Sequence, residues 1–222
     1  RDAKNAEEFL TKIKNITGFL PKVLTGEQEA EAVYKGVTHE LPGVDIGSVI
    51  TDIGGGSTEL IFPKGQDEVV FLSINVGAVR MTERFIINDP PLESELDNVR
   101  ACVVQELSKS LNKKDFTTLK LIGLGGTITT LVAIHLKMRI YEHEKVHGFE
   151  MSRSAVQKIL RTLSSMSLDD RKKVIGLQPE RADIIVAGTV ILDALLEFAE
   201  KNSFRVSDRG ILFGLALLAA GK

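Results

Sequence analysis

Several sequence features are scarce or absent in these 222 residues, and each absence excludes a class of protein. The single cysteine, Cys102, rules out an internal disulfide framework and a cysteine zinc site. No apolar run reaches the roughly 18 residues that a transmembrane helix needs, and no signal peptide is visible. Neither charge dominates, because 28 Lys and Arg against 30 Asp and Glu leave a net charge of −2. We therefore expect a cytoplasmic globular protein that binds neither nucleic acid nor membranes.

The spacing of apolar residues predicts an α/β fold. Apolar residues recur three and four positions apart in some segments, which is typical of helices, while short apolar runs between turn residues are typical of strands. The predicted helices cover 2–17, 27–35, 77–87, 92–111, 128–137, 152–165, 168–175, 180–201 and 208–220. The predicted strands cover 21–25, 48–53, 58–62, 68–75, 119–124 and 204–207. The five strands from residue 48 onward are expected to form one mixed sheet with helices on both faces.

The strongest functional signal is the run 51–60, in which two strands flank a glycine turn. Asp52 lies near the end of the first strand and Glu59 in the second, so both carboxylates can face one cleft. Consecutive glycines let the backbone approach a ligand closely, and their N–H groups can form an anion-binding concavity. Two carboxylates beside a phosphate cradle suit Mg²⁺ or another divalent cation. The predicted phosphate-binding residues of this turn are Gly54, Gly55, Gly56, Ser57 and Thr58.

A second glycine turn, made of Gly125, Gly126 and Thr127, follows a buried strand and opens a helix. Helix N-termini bind anions through their unpaired N–H groups and their dipole. Such turns are common, so this one is a weak signal by itself. Together with the first turn, it predicts two phosphate loops that face a single cleft.

The acidic segment 26–32 is open to two interpretations. An acid-rich first helical turn often only complements the helix dipole, and the segment alone favours that interpretation. A carboxylate beside a phosphate site could also act as a base toward water. The histidines show no metal-ligand spacing; they are His39, His135, His143 and His147.

These motifs together resemble the exopolyphosphatase / guanosine pentaphosphate phosphatase family. The resemblance rests on GEQEA at 26–30, DIGGGSTEL at 52–60 and GLGGTITTL at 123–131. Further matches lie at 75–85, 146–148, 180–192 and 206–214, so the resemblance covers nearly the whole chain. It implies an actin-like ATPase, ribonuclease H-like fold, in which two related lobes enclose a phosphate cleft.

The resemblance also implies roles for individual residues. Glu29 matches a catalytic glutamate that orients or deprotonates the attacking water, and Arg1 matches an arginine near the transferred phosphate. Asp52 and Glu59 match the carboxylates that hold the divalent cation, and both glycine turns match phosphate loops of the second lobe. Gln28 stands where the family more often has an acidic residue.

The resemblance further implies that a first lobe is missing. Residues 1–40 look like a helix–strand–helix remnant of that lobe, and residues 41–222 look like a complete second lobe. Because strand 21–25 would then have an unpaired edge, we expect residues 1–40 to pack on the second lobe, to form a homodimer or to swap between chains.

The expected activity is metal-assisted hydrolysis of the terminal phosphoanhydride bond of inorganic polyphosphate, with release of orthophosphate. Guanosine pentaphosphate is the alternative substrate, and the isolated chain is expected to be folded but nearly inactive. Two other classes stay open. One is an ATP-using kinase or ATPase of the same fold, for which the sequence identifies no adenosine pocket, and the other is a non-catalytic phosphate or nucleotide sensor.

Overall fold

A single six-stranded sheet forms the centre of the molecule. The structure is a computed structural model that describes residues 5–39, 41, 43–44, 47–64 and 68–221. Its strands are β1 (Ser48–Ile53), β2 (Thr58–Lys64), β3 (Glu68–Ile74), β4 (Lys120–Leu124), β5 (Glu150–Ser152) and β6 (Ser203–Val206). They follow the order β3-β2-β1-β4-β6-β5, with β1, β4 and β6 parallel and the outer strands antiparallel to their neighbours.

The sheet has six strands and not the predicted five. The additional strand, β5, has only three residues and lies partly in a polar segment without clear apolar periodicity. It pairs with β6, where Met151 lies opposite Phe204 and packs into the core. A strand this short is specified by its neighbour and not by its own pattern.

The helices cover both faces of the sheet. They are α1 (Ala6–Thr17), α2 (Gly26–Thr38), α3 (Ala78–Phe85), α4 (Glu93–Ser110), α5 (Lys113–Thr117), α6 (Gly126–His135), α7 (His143–Val146), α8 (Arg153–Ser164), α9 (Leu168–Arg171), α10 (Ile185–Phe198) and α11 (Ile211–Ala219). A 3₁₀ turn, Pro179–Arg181, stands where the start of a longer helix was predicted. The short helices α5 and α7 were not predicted. In the described part of the chain, no helix is both long and apolar enough to span a membrane.

Two apolar clusters, one on each face, position the residues of β1. Val49 and Ile53 face the larger cluster, which contains nearly the whole of α10. Ile50 faces the smaller cluster, where it meets Val33 and Val37 of α2. Because side chains alternate along a strand, Asp52 lies on the same face as Ile50 and therefore on the α2 face.

Helix α2 is held against the smaller cluster by close contact with α11. A Cβ atom added to Gly214 would lie 1.6 Å from the carbonyl oxygen of Ala32, and one added to Gly36 would lie 2.6 Å from that of Gly210. Glycine at these positions lets the two helix backbones approach each other. The position of α2 relative to the sheet thus depends on residues far along the chain.

The predicted strand over 21–25 is wrong. Residues 19–25 are irregular, and the segment is largely exposed between α1 and α2. An extended segment becomes a strand only by pairing, and among the described residues the sheet ends at β3 and β5 without reaching it. Helix α1 before it is amphipathic yet buries none of its residues.

Two buried carboxylates hold the helical layer together. Glu95 accepts hydrogen bonds from the amides of Ile87, Asn88 and Leu92 at 2.9–3.1 Å, and a fourth from the Asn88 side chain at 2.8 Å. Burial alone would raise the pKa of Glu95, but these donors outweigh it and lower the pKa. The carboxylate therefore fixes the chain entering α4.

The second buried carboxylate, Asp193, joins three helices. It lies on α10 and accepts from Arg100 of α4 at 2.7 Å and from Arg153 of α8 at 2.8 Å. Burial opposes its ionisation, but the hydrogen bonds and charges of these two arginines prevail and lower its pKa. The ion pairs thus lock α4, α8 and α10 into one layer.

Candidate active site

Asp52 and Glu59 lie side by side on the α2 face of the sheet. They are direct cross-strand partners in the β1–β2 hairpin, and Ser73 of β3 is the next partner in the same row. Like charges directly opposite each other weaken a sheet, so this pairing is unfavourable for the fold itself. Glu59 receives two hydroxyl donors, from Ser57 at 2.5 Å and from Ser73 at 3.1 Å. Such a pair suits a site that binds a cation.

The carboxyl group of Asp52 has a raised pKa. Burial is the largest cause, and the negative charges of Glu59 and Glu29 add to it, so that the pKa of Asp52 rises to about 6. The effect of Glu29 shows that α2 brings this residue close enough to act on Asp52. Three predicted site residues from separate elements therefore share one electrostatic environment.

Glu29 is placed by the first turn of α2. Thr25 is the N-cap of this helix, and its hydroxyl accepts a hydrogen bond from the amide of Gln28 at 3.2 Å. In return, the Gln28 side chain accepts from the amide of Thr25 at 3.2 Å, which completes a capping box. Gln28, the departure from the family pattern, thus fixes the start of α2 and the position of Glu29.

The three carbonyl groups of the triple-glycine turn are held from one side, by α3. The carbonyl oxygen of Gly54 accepts from the amide of Ala78 at 2.9 Å, and that of Gly55 accepts from the amide of Arg80 at 3.0 Å. The third carbonyl, that of Gly56, accepts from Nε of Arg80 at 2.7 Å. Three successive carbonyl groups are therefore bound by two residues of one helical turn.

The amides of the same turn point away from α3. In a planar trans peptide the N–H group lies opposite the C=O group, so the N–H groups of Gly55, Gly56 and Ser57 point to the other side. Within the described residues none of these three amides donates a hydrogen bond. A Cβ added to Gly56 would find only the Arg80 guanidinium, at 3.8 Å, so the protein itself does not require glycine there. The arrangement has the form of an anion-binding concavity.

The hydroxyl groups that follow the glycines have partners within the protein. Thr58 is fully buried and its Oγ1 donates to the carbonyl of Val76 at 2.6 Å. The Ser57 hydroxyl donates to Glu59. Both were predicted as donors to phosphate, and in this structure each hydroxyl group donates within the protein instead.

The second glycine turn lies directly against the carboxylate pair. Gly125 has a φ of +91°, and a Cβ there would lie 2.2 Å from Oδ1 of Asp52. It is the N-cap of α6, whose first amides have no partner within the helix. The strand register brings both turns to Asp52, because β1 and β4 are parallel neighbours with Asp52 opposite Leu124.

Two arginines at the glycine turns were missed by sequence reasoning. Arg80 lies against Gly56, and Nη1 of Arg181 would be 2.0 Å from a Cβ added to Gly126. Both lie within stretches that carried the family resemblance, at 75–85 and 180–192, but neither has a motif that marks it as part of a site. Arg1, the other predicted arginine of the site, lies outside the described residues.

The architecture defines the class of protein. A mixed sheet covered by helices on both faces, with two glycine turns after the parallel strands β1 and β4, makes this an actin-like ATPase-type α/β lobe. The family follows from the sequence. A model of the Ppx/GppA phosphatase family matches residues 1–219, and this chain belongs to that family. The resemblance and the fold class inferred from the motifs are thereby confirmed.

Several relatives show how far the similarity extends. Exopolyphosphatase 2 of Mycobacterium tuberculosis is 32% identical over an alignment of 232 positions, which covers 100% of this chain and 72% of that protein. A bifunctional 3-dehydroquinate synthase/phosphatase of Fusobacterium nucleatum is 34% identical over 98% of this chain and 33% of its own length. The solved structure of the Aquifex aeolicus PPX-GPPA enzyme is 36% identical with a TM-score of 0.86, over 97% of this chain and 71% of that one. An exopolyphosphatase structure from Cytophaga hutchinsonii is 25% identical, also with a TM-score of 0.86, over 100% and 72% of the two chains.

Proposed function

We propose that this chain contains the second lobe of an exopolyphosphatase, which hydrolyses the terminal phosphoanhydride bond of inorganic polyphosphate and releases orthophosphate. Membership of a phosphatase family gives the general class of reaction. One observation carries the proposal: among the described residues the three consecutive amides of Gly55, Gly56 and Ser57 have no acceptor, and they lie beside the carboxylate pair of Asp52 and Glu59. The exopolyphosphatase name of the Mycobacterium tuberculosis relative supports polyphosphate as the substrate.

A divalent cation such as Mg²⁺ fits the pair formed by Asp52 and Glu59. Among the described residues no three His, Cys, Asp or Glu side chains converge into a ready metal cage. Mg²⁺ typically uses one or two carboxylates together with water and phosphate oxygens, which agrees with this pair beside an anion-binding turn. When bound, the cation would neutralise charge on the phosphoryl oxygens.

The remaining steps belong to side chains and amides of the chain. The amides of Gly55, Gly56 and Ser57 donate to the terminal phosphoryl group, and their fixed orientation stabilises the charge that develops there. Glu29 orients the attacking water and accepts its proton. The start of α6 at Gly126 and Thr127 contributes further N–H groups from the other side of Asp52.

The rest of the substrate fits a cavity beside the second turn. This cavity of about 510 Å³ is lined by Arg139 and Arg181, together with Tyr141, His143 and the carboxylate of Asp208, which is hydrogen-bonded to Tyr141 and His143. The two guanidinium groups suit the successive anionic groups of a polyphosphate chain. Guanosine pentaphosphate is the second candidate substrate, because the aromatic rings beside the arginines offer a surface on which a base could stack.

We extend the proposal to the organisation of the whole enzyme, which we place in the cytoplasm. Residues 1–40 belong to the end of a first lobe and residues 41–222 form the second lobe. The 222-residue chain alone then lacks half of the phosphate cleft and has little activity, and its residues 1–40 offer a surface for dimerisation. We use "two-lobe form" for the chain joined to the first lobe that we propose precedes it.

Orthophosphate release by the two-lobe form tests the proposal. With Mg²⁺ present, long-chain polyphosphate, guanosine pentaphosphate and ATP are compared in parallel. We expect release from polyphosphate, lowered at least about 100-fold by Glu29→Gln, because general bases contribute factors of this size. Glu31→Gln, an exposed carboxylate on the same helix, is the matched control and should keep full activity.

Each other outcome identifies a rival. Release mainly from guanosine pentaphosphate would make that nucleotide the substrate in place of polyphosphate, with the same mechanism. Phosphate transfer from ATP to an acceptor would indicate a kinase. Phosphate binding without release from any substrate would indicate a sensor and overturn the proposal.

A further inference from the structure

Of the three hydrogen bonds by which described residues of α3 hold the carbonyl groups of the triple-glycine turn, a single one is made by a side chain. The carbonyls of Gly54 and Gly55 are held by backbone amides of α3, which every substitution other than proline leaves in place. The carbonyl of Gly56 is held by Nε of Arg80. The opposite side of that same peptide unit carries the N–H group of Ser57. The direction of this N–H group therefore depends on one guanidinium.

We propose that Arg80 is a positioning residue that sets the Ser57 amide for binding a phosphoryl oxygen. The inference rests on the proposed function of the turn as a phosphate site. A hydrogen bond from a charged donor is about twice as strong as a neutral one and polarises the peptide that accepts it. Arg80 thus fixes the plane of the 56–57 peptide and makes its N–H group a better donor.

The surroundings of Arg80 argue against a role in folding. The residue is exposed, and among the described residues its side chain makes no ion pair with a carboxylate. Within the part of the chain that the structure describes, the one hydrogen bond of its side chain goes to Gly56. An exposed arginine without a carboxylate partner adds little to the stability of the fold. The hydrogen bond to Gly56 therefore indicates that Arg80 acts on the glycine turn.

Helix α3 itself offers a matched control. Arg84 lies one turn further along the same helix, is exposed and has its guanidinium 4.8 Å from the ring centre of Phe85. It has no described contact with the glycine turn. Arg80→Met and Arg84→Met therefore remove the same charge from the same helix, and only the first removes the bond to Gly56.

The test follows backbone amide signals of the ¹⁵N-labelled 222-residue chain by NMR during titration with inorganic phosphate. In the wild type we expect the amides of Gly55, Gly56 and Ser57 to shift together. Arg80→Met should weaken phosphate binding about tenfold and remove the response of Ser57, while the signals of the rest of the chain stay in place. Arg80→Lys, which can still reach a carbonyl with a charged donor, should restore part of the affinity, and Arg84→Met should match the wild type.

Two results would count against the inference in distinguishable ways. If Arg80→Met bound phosphate as tightly as the wild type with an unchanged Ser57 response, Arg80 would not position the turn, although the turn would remain a phosphate site. If the wild type itself showed no response at residues 55–57, the proposed phosphate site would be wrong, and the inference would be overturned with it.

Discussion

The negative charges of Glu59 and Glu29 near the buried Asp52 should lower the stability of the metal-free protein, and Asp52→Asn should restore the lost stability. Raising the pKa of Asp52 from 3.8 to about 6 means that its ionised form is disfavoured in the folded state. A tenfold change in an equilibrium is worth about 1.4 kcal/mol, so the full penalty above pH 6 is about 3 kcal/mol. Because an asparagine must still find hydrogen-bond partners, we expect a net gain of about 2 kcal/mol.

The pH dependence identifies the cause of this gain. Since the folded protein holds the proton more tightly than the unfolded chain, the wild type loses stability as the pH rises from about 4 to about 6. Asp52→Asn should therefore raise the melting temperature by about 4–8 °C at pH 7.5 in EDTA, and lower it by about 2–4 °C at pH 4, where only the cost of the asparagine remains. Asp97→Asn, an exposed carboxylate on α4, is the control and should change neither value. A gain of equal size at both pH values, or a loss at pH 7.5, would refute the reasoning.

Three further substitutions test the fold that positions the site, each by urea unfolding at pH 7. Glu95→Ala removes the acceptor of four hydrogen bonds and should lower the free energy of unfolding by about 3 kcal/mol. Because the pKa of Glu95 is lowered in the folded protein, its contribution to stability should fade as the pH falls below about 4.3. A loss that does not depend on pH would contradict this. Asp193→Ala leaves the partly exposed Arg100 and Arg153 without their buried partner and should cost about 2–3 kcal/mol, whereas a neutral effect would show that the ion pairs are dispensable. Gly214→Ala forces α11 away from α2 and should cost about 2–3 kcal/mol, and an unchanged midpoint would mean that the two helices separate freely.

The central elements of the fold could be predicted because their patterns are local. Strand β1, the glycine turn and β2 follow each other directly, so the ten consecutive residues 51–60 contain the signal for the hairpin that pairs Asp52 with Glu59. The strand predicted at 21–25 failed for the opposite reason. Its apolar residues allow an extended chain, but a strand also needs a neighbour, and a sequence pattern cannot supply one.

The arginines of the site could not be predicted from their local sequence. Arg80 and Arg181 reach the glycine turns because helix α3 and the turn Pro179–Arg181 are folded against them from distant parts of the chain. The role of Gln28 in the capping box was not predicted either, because it depends on Thr25 being the N-cap of α2. Residues that act by contact across the fold carry no signature in spacing, whereas glycine turns and paired carboxylates do.

The origin of the oxygen in the first orthophosphate released by the two-lobe form tests the central claim most directly. The reaction is run with tripolyphosphate and Mg²⁺ in H₂¹⁸O, under conditions that limit the enzyme to one turnover. Attack by water on the terminal phosphorus, with Glu29 as base, predicts one ¹⁸O atom in each orthophosphate and loss of this product in Glu29→Gln. Unlabelled orthophosphate, or labelled product that forms equally fast without the Glu29 carboxylate, would contradict the account.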